Sequence, residues 1–289
     1  MQDIFPVVIS GLVSGSIYAL LGLSIVIIFR ATDVINFAIG DMATVGVFIA
    51  STLIGVGLPI SLALIFTMLL TGIMGIGVER LLVRPLGPGR MFAALIVTLG
   101  LGLLLQAGIG AIWSFNPRPF PAIIEGTITI FGLALTKQKI LITALTVLAI
   151  FLVAAFFNWS LIGTAMRASA EDHFGAKLVG IKSSRVATIA WFLGCALAGA
   201  AAFLAAADSS VSVTLMSPLL FRAFAGMFLG GLNSMIGSAA GGLLIGLLDN
   251  IAGRYVSASF RDTMVFAIIV AVLFLRPGGI LGTKQGGRV

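Results

Sequence analysis

Charge is scarce in this sequence. Only 9% of its 289 residues are Asp, Glu, Lys or Arg, against about 25% in a soluble domain. That excludes an ordinary water-soluble globule. There is one cysteine, Cys195, and one histidine, His173, so neither an intrachain disulfide nor a His/Cys metal centre is open to the chain. The ten acidic residues are scattered. No nucleophile and base fall together inside an apolar run, so no catalytic site is expected. A phosphate-binding loop is missing too. The stretch "GAKLVGIKS", Gly175 to Ser183, places Ile181 between its second glycine and the lysine, and no strand precedes it. No cofactor is expected in this chain.

What is abundant is hydrophobic residues, 60% of the total. Several apolar runs exceed the ~20 residues that cross a bilayer core. The expected fold is an all-α polytopic membrane protein with a single domain over residues 1–289. Apolar stretches fall at residues 4–29, 34–55, 59–83, 91–113, 140–157, 186–207, 219–232, 236–251 and 263–275. The pieces at 34–55 and 219–232 are short or interrupted, so each either spans or re-enters, and eight to ten transmembrane helices are expected. The N-terminus has no basic region ahead of its long apolar run and reads as the first span. Residues 114–139, rich in proline and in Thr/Ile alternation, read as a loop with a small hairpin.

Glycine is also plentiful, at 36 residues. The pairs Gly11/Gly15, Gly226/Gly230, Gly237/Gly241 and Gly242/Gly246 have the small-xxx-small spacing that lets membrane helices approach closely. Of the 17 Lys and Arg, eleven fall in one set of alternate loops, with Arg84, Arg90, Arg167, Lys177 and Lys284 among them. By the positive-inside rule that set is cytoplasmic, together with the C-terminus. Glu79 and Arg80 read as an interfacial pair.

Two polar stretches interrupt this pattern. The first is the loop of about residues 158–185. It gathers Arg167, Glu171, Asp172, His173, Lys177, Lys182 and Arg185. Ser169 followed by Glu171 and Asp172 fits an N-terminal capping signal, and Gly180 fits a left-handed C-terminal cap. A helix over 170–179 follows. It is either part of a solvated loop that satisfies topology or a docking element for a soluble cytoplasmic partner. Caps at both ends favour the second, because so short a helix needs a surface to lie on. The second stretch is "RATDVINFAIGDM", which puts Asp33, Asn36 and Asp41 at or near membrane depth beside Gly40. "FRAFAGMFLGGLNSMIG" is a comparable glycine-broken segment with Asn233. Paired broken segments point to a solute path, or else to structural kinks. The candidates are Asn36, Phe37, Gly40, Asp41 and Asn233, with Asp249 a weaker one.

These residues also carry a resemblance. "SGSIYALLGLSIVIIFRATDVINFAIGDM", "RPLGPGRMFAALIVTLGLGLLLQ", "GTAMRASAEDHFGAKLVGIKSSRV", "FAGMFLGGLNSMIGSAAGGLLIG" and "RPGGILG" resemble, in order, the motifs of branched-chain amino-acid permeases of bacterial ABC importers. The resemblance implies a permease subunit in the inner membrane, paired with a homologous second permease or with itself. It also implies two cytoplasmic ATPase subunits that bind ATP, and an external binding protein. The charged loop would then be the coupling helix, with Arg167, Glu171, Asp172, His173, Gly175 and Gly180 as its contact residues. There are two departures. Ile39 stands where the family usually has histidine, which keeps urea, amides or another small polar solute as alternative cargo. Glu171 is followed by Asp172 and His173, a loose match to the importer pattern Glu-Ala-Ala. A stand-alone channel or secondary transporter would instead use the intramembrane acids as ion sites.

Overall fold

The computed structural model describes residues 4–87, 89–130, 133–257, 260–275 and 278–280. The tail that carries Lys284 and Arg288 lies outside them. The elements are α1 (Ile4–Thr32), α2 (Ile39–Gly55), α3 (Ile60–Val78), α4 (Met91–Trp113), β1 (Arg118–Pro119), β2 (Thr127–Ile130), β3 (Leu133–Thr136), α5 (Lys137–Trp159), α6 (Leu161–Glu171), α7 (His173–Leu178), α8 (Ser183–Asp208), β4 (Ser210–Val211), α9 (Ser217–Gly230), α10 (Met235–Tyr255) and α11 (Phe260–Leu275). Each of the nine apolar stretches carries a helix. Six helices, α1, α3, α4, α5, α8 and α10, are long and apolar enough to cross a membrane. α2 and α9 are shorter apolar helices of 17 and 14 residues. At 1.5 Å per residue they measure about 25 and 21 Å, less than the ~30 Å hydrocarbon core. The protein is a multi-pass, all-α membrane protein.

The expected hairpin is present: β2 pairs antiparallel with β3, Thr127 opposite Thr136. β1 pairs antiparallel with β4, Arg118 opposite Val211.

The chain forms two compact units. One comprises Met1–Val26, Ile124–Thr146 and Pro218–Val289; the other comprises Ile27–Ile123 and Val147–Ser217. The first is built on glycine. Along α1, Gly11 and Gly15 lie against the backbone of Leu247 and Leu243 in α10, and Gly242 lies against Ala19. Gly226 of α9 lies against Gly242, and Gly230 against Gly237. All four spaced pairs predicted from sequence therefore serve one packing system, in which dispersion between close backbones supplies the attraction. Tyr18, Ala225, Ile245 and Val265 form its buried core.

The second unit is built on α8. Its residues 194–207 are buried throughout, and most are alanine or glycine. α3 packs along it, with Gly72 against Phe192 and Gly75 against Trp191 and Cys195. α2 and α6 also contact α8. α4 has two distinct faces. Phe92, Ile96, Leu99 and Leu103 are exposed, while Ala94, Thr98 and Gly102 are buried. Its polar and small residues point inward and its large apolar ones outward, the reverse of a soluble helix.

α3 does not end as a plain α-helix. Glu79–Val83 is a π-turn, followed by a 3-10 turn over Arg84–Leu86. In a π-turn, residues five apart share a face. Glu79 therefore pairs with Arg84, through Nε–Oε1 at 2.9 Å and Nη2–Oε2 at 2.7 Å, and not with Arg80 as the sequence suggested.

Candidate functional site

The first expected site residues lie where α1 gives way to α2. The helix stops at Thr32, Asp33 takes φ 55°, and residues 33–38 are irregular before α2 starts at Ile39. Irregular backbone at membrane depth needs protein cover, and here the second unit supplies it. Asn36 is 1% exposed. Its Oδ1 accepts a hydrogen bond from the Ala38 N–H at 3.0 Å, which fastens the turn into α2. The Phe37 N–H donates to Thr98 Oγ1 on α4 at 3.4 Å. Gly40 is buried in the first turn of α2.

Asp41 follows. Gln106 Nε2 donates to its Oδ1 at 2.9 Å. A Cβ at Gly102 would fall 2.6 Å from Asp41 Oδ2, so only glycine leaves the carboxylate room. Thr98, Gly102 and Gln106 are spaced by four and form one stripe of α4 along the start of α2. The sequence reading did not single out this stripe. Its signal was present in the spacing, and in Gln106 as the lone amide of an apolar helix.

Depth follows from α4. Gly102 and Gln106 lie eleven and fifteen residues beyond its first residue, Met91, on the order of 16–22 Å along the axis. Gly102 is thus at the midpoint of this span and Gln106 one turn beyond it. An ionised carboxylate there costs ~2.5 kcal/mol or more unless it has a partner. Among the described residues Asp41 makes no ion pair, whereas Glu79, Asp249 and Asp262 each do. Asn233, the remaining path candidate, belongs to the other unit. It is half-buried in the turn between α9 and α10.

The charged stretch forms two helices rather than the one expected over 170–179. α6 is capped by Ser160, whose Oγ accepts from the Gly163 N–H at 2.9 Å. It runs through Ser169, which is buried, to Glu171. Asp172 then leaves helical geometry at φ −147° and caps α7, its Oδ1 accepting from the Phe174 N–H at 2.9 Å. The capping signal therefore belongs to Asp172, three residues later than predicted, because the interior of α6 satisfies Ser169's backbone. Arg167 and Glu171 sit on α6 near Arg30 of α1 and act on it electrostatically, and Arg167 Nη1 donates to Asn158 Oδ1 at 3.4 Å. His173 opens α7, and Gly175 lies against the Asp172 carboxylate. The C-terminal cap is where the sequence put it. Gly180 has φ 85°, and the Ile181 N–H donates back to Ala176 O at 3.0 Å, closing a Schellman turn.

α7 is short, yet Phe174, Leu178 and Val179 are 72, 73 and 77% exposed. Beside it lies a cavity of about 430 Å³, lined by Asp33, Glu79, Arg84, Arg90, Lys177 and Ser184 among others. Arg84 Nη2 and Thr188 Oγ1 share a 2.8 Å hydrogen bond, and Thr188 reaches Glu79 Oε2 at 3.1 Å. The end of α3 is thereby tied to the start of α8, which follows α7. No group of three or more His, Cys, Asp or Glu able to hold a metal occurs among the described residues.

Residues 7–273 match the family model described as branched-chain amino acid transport system / permease component. The chain is 29% identical over 296 residues to the high-affinity branched-chain amino acid transport system permease protein BraD of Pseudomonas aeruginosa, covering 97% of this chain and 96% of BraD. It is 27% identical over 299 residues to the corresponding permease protein LivH of Salmonella typhimurium, with the same two coverages. It is 26% identical over 292 residues to the probable branched-chain amino acid transport permease protein LivH of Methanocaldococcus jannaschii. Among solved structures, it is similar to a chain of PsaBC from Streptococcus pneumoniae in complex with a Fab. The TM-score is 0.50 at 16% identity, over 94% of this chain and 91% of that one. At that identity the likeness speaks for the fold.

Proposed function

This chain belongs to the family of permease components of branched-chain amino acid transport systems, and from that membership and the geometry above we propose that it forms the translocation path of an ATP-driven importer of branched-chain amino acids. The path would run by the broken segment at Asn36, Phe37, Gly40 and Asp41 in the second unit; the glycine-broken turn at Asn233 is the candidate in the first. The partners are a second permease subunit, homologous or a copy of this chain, two cytoplasmic ATPase subunits and an external binding protein. ATP is bound and hydrolysed by the ATPases. The segment of residues 158–185 and the C-terminus face the cytoplasm.

The observation that carries this reading is α7. A six-residue helix cannot hold itself together in water, yet this one is capped at both ends and leaves three large apolar side chains uncovered. Burying one of them against a partner is worth about 1.5–3 kcal/mol. An ATPase that closes on nucleotide would push on this helix. The push would reach the spans through α6, which packs on α8, and through the Glu79–Arg84–Thr188 contact to α3. Access to the path would then switch from outside to inside.

Phe174→Asp tests the reading. The side chain is already exposed, so insertion and thermal stability should match the unaltered protein. Co-purification of the ATPase subunits should weaken at least tenfold, corresponding to about 1.4 kcal/mol, and uptake should fall with it. Unchanged co-purification would assign the exposed side chains to the lipid surface and remove the coupling role.

A further inference from the structure

Four acids lie on α2, on the turn that closes α3, on α10 and on α11, and three of them have a cationic counterpart: Glu79 has Arg84, and Asp249 and Asp262 have Arg222. Asp41 differs. Its Oδ1 is held by Gln106, and its Oδ2 has no hydrogen-bond donor among the described residues. That oxygen fills the place a side chain at Gly102 would take. The carboxylate is half-buried rather than sealed. It stands at one end of a partly accessible stripe of α2 that continues through Val45, Ile49 and Thr52, residues spaced by three and four as one helix face requires.

The fixed oxygen and the free oxygen have different tasks. Gln106 can donate to a carboxylate but cannot neutralise it, so it sets the orientation and leaves the charge unmatched. A cation that visits this position would meet a preoriented acceptor at mid-membrane, with little competition from water. Calcium or magnesium is a poor fit, since each asks for six or more oxygen ligands, and no cluster of three or more His, Cys, Asp or Glu for another divalent metal occurs among the described residues. A primary ammonium has three donors and needs only one strong acceptor and a few weaker ones.

We propose that the half-buried Asp41 carboxylate, oriented by Gln106, is the counter-charge that receives the ammonium group of the solute as it crosses. This rests on the reading of the chain as a permease for amino acids and adds the atom that meets the cargo. An amino acid crosses as a zwitterion, and both of its charged groups need replacement of lost water; Asp41 answers the ammonium.

The test uses the assembled importer, with its ATPases and binding protein, in vesicles supplied with ATP and L-leucine. Asp41→Asn keeps an oxygen that can accept from Gln106, so a merely structural role predicts unchanged uptake. The proposal predicts at least a tenfold fall in leucine uptake, with ATPase co-purification and melting temperature unaltered. Exchanging the two groups, Asp41→Asn with Gln106→Glu, restores a carboxylate at the same place and should recover most of the rate. Asp41→Asn at the unaltered rate, or an exchange variant that folds and assembles yet recovers nothing, overturns the proposal. So does a tenfold loss of unaltered-importer uptake when choline replaces sodium, which would assign the carboxylate to a metal ion. Absence of leucine uptake by the unaltered importer is a separate result: it overturns the substrate class, and the proposal with it.

Discussion

Replacing Asp249 with alanine is expected to destabilise the folded chain by about 3–5 kcal/mol, the usual cost of leaving one member of a buried ion pair alone. Asp249 lies on α10 and its side chain is 3% exposed, while that of Arg222 on α9 retains 11%. Arg222 Nε is 3.1 Å from Asp249 Oδ1, close enough for an ion pair though not aligned as a hydrogen bond. Tyr18 of α1 donates to the other oxygen at 3.3 Å. Arg222 Nη2 also reaches Asp262 at the start of α11 at 2.9 Å, but that carboxylate is exposed. Four helices of the first unit therefore meet at one guanidinium. Without Asp249 the arginine keeps only a solvated partner, and the Tyr18 hydroxyl loses its acceptor. Thermal unfolding in detergent should show the loss. Arg222→Leu with Asp249→Leu should recover most of it, because the uncompensated charge is then gone. A loss below about 1 kcal/mol would mean that the pair behaves as a solvated one.

Gly246→Val should be nearly as damaging, by about 3 kcal/mol, the upper range for overpacking. A Cβ at position 246 falls on the backbone of Gly15 in α1, and the Gly11 carbonyl stands 2.6 Å from it. A side chain could swing aside, but helix backbone cannot, so α1 and α10 must separate along their whole contact. Gly100→Val in α4 is the control, since a Cβ there meets nothing within 4 Å. Melting temperatures of the two variants should differ widely. Equal melting temperatures would show that close helix approach contributes nothing to holding α1 on α10.

The hydropathy of this chain made its helices legible, because a long apolar run in a weakly charged sequence has little else to be. Two boundaries were not legible, and both lie where the backbone leaves α geometry. The π-turn at Glu79–Val83 moves the partner of Glu79 from Arg80 to Arg84, and nothing in the residue types announces a π-turn. Asp172 splits the charged stretch into two helices because its side chain competes for the Phe174 N–H, while Ser169, an equally good cap by type, is enclosed in α6. Gly180 was readable, since a left-handed cap at a helix end favours glycine. In the candidate path, Asp41 stood out as an acid in an apolar run. Gln106 and Gly102 did not, because glycine is common in membrane helices and the pairing of α2 with α4 is a tertiary fact. The same holds for Arg222, which sequence alone grouped with the loop cations. Its partners Asp249 and Asp262 are far along the chain, and only packing brings them together.

The central claim is that this chain is a passive path driven from outside itself. ATP-dependent uptake of L-leucine into vesicles tests it most directly, comparing the chain alone with the chain assembled with its ATPase subunits and binding protein. The account predicts accumulation above the external concentration for the assembly and none for the chain alone. Uphill accumulation by the chain alone would contradict it.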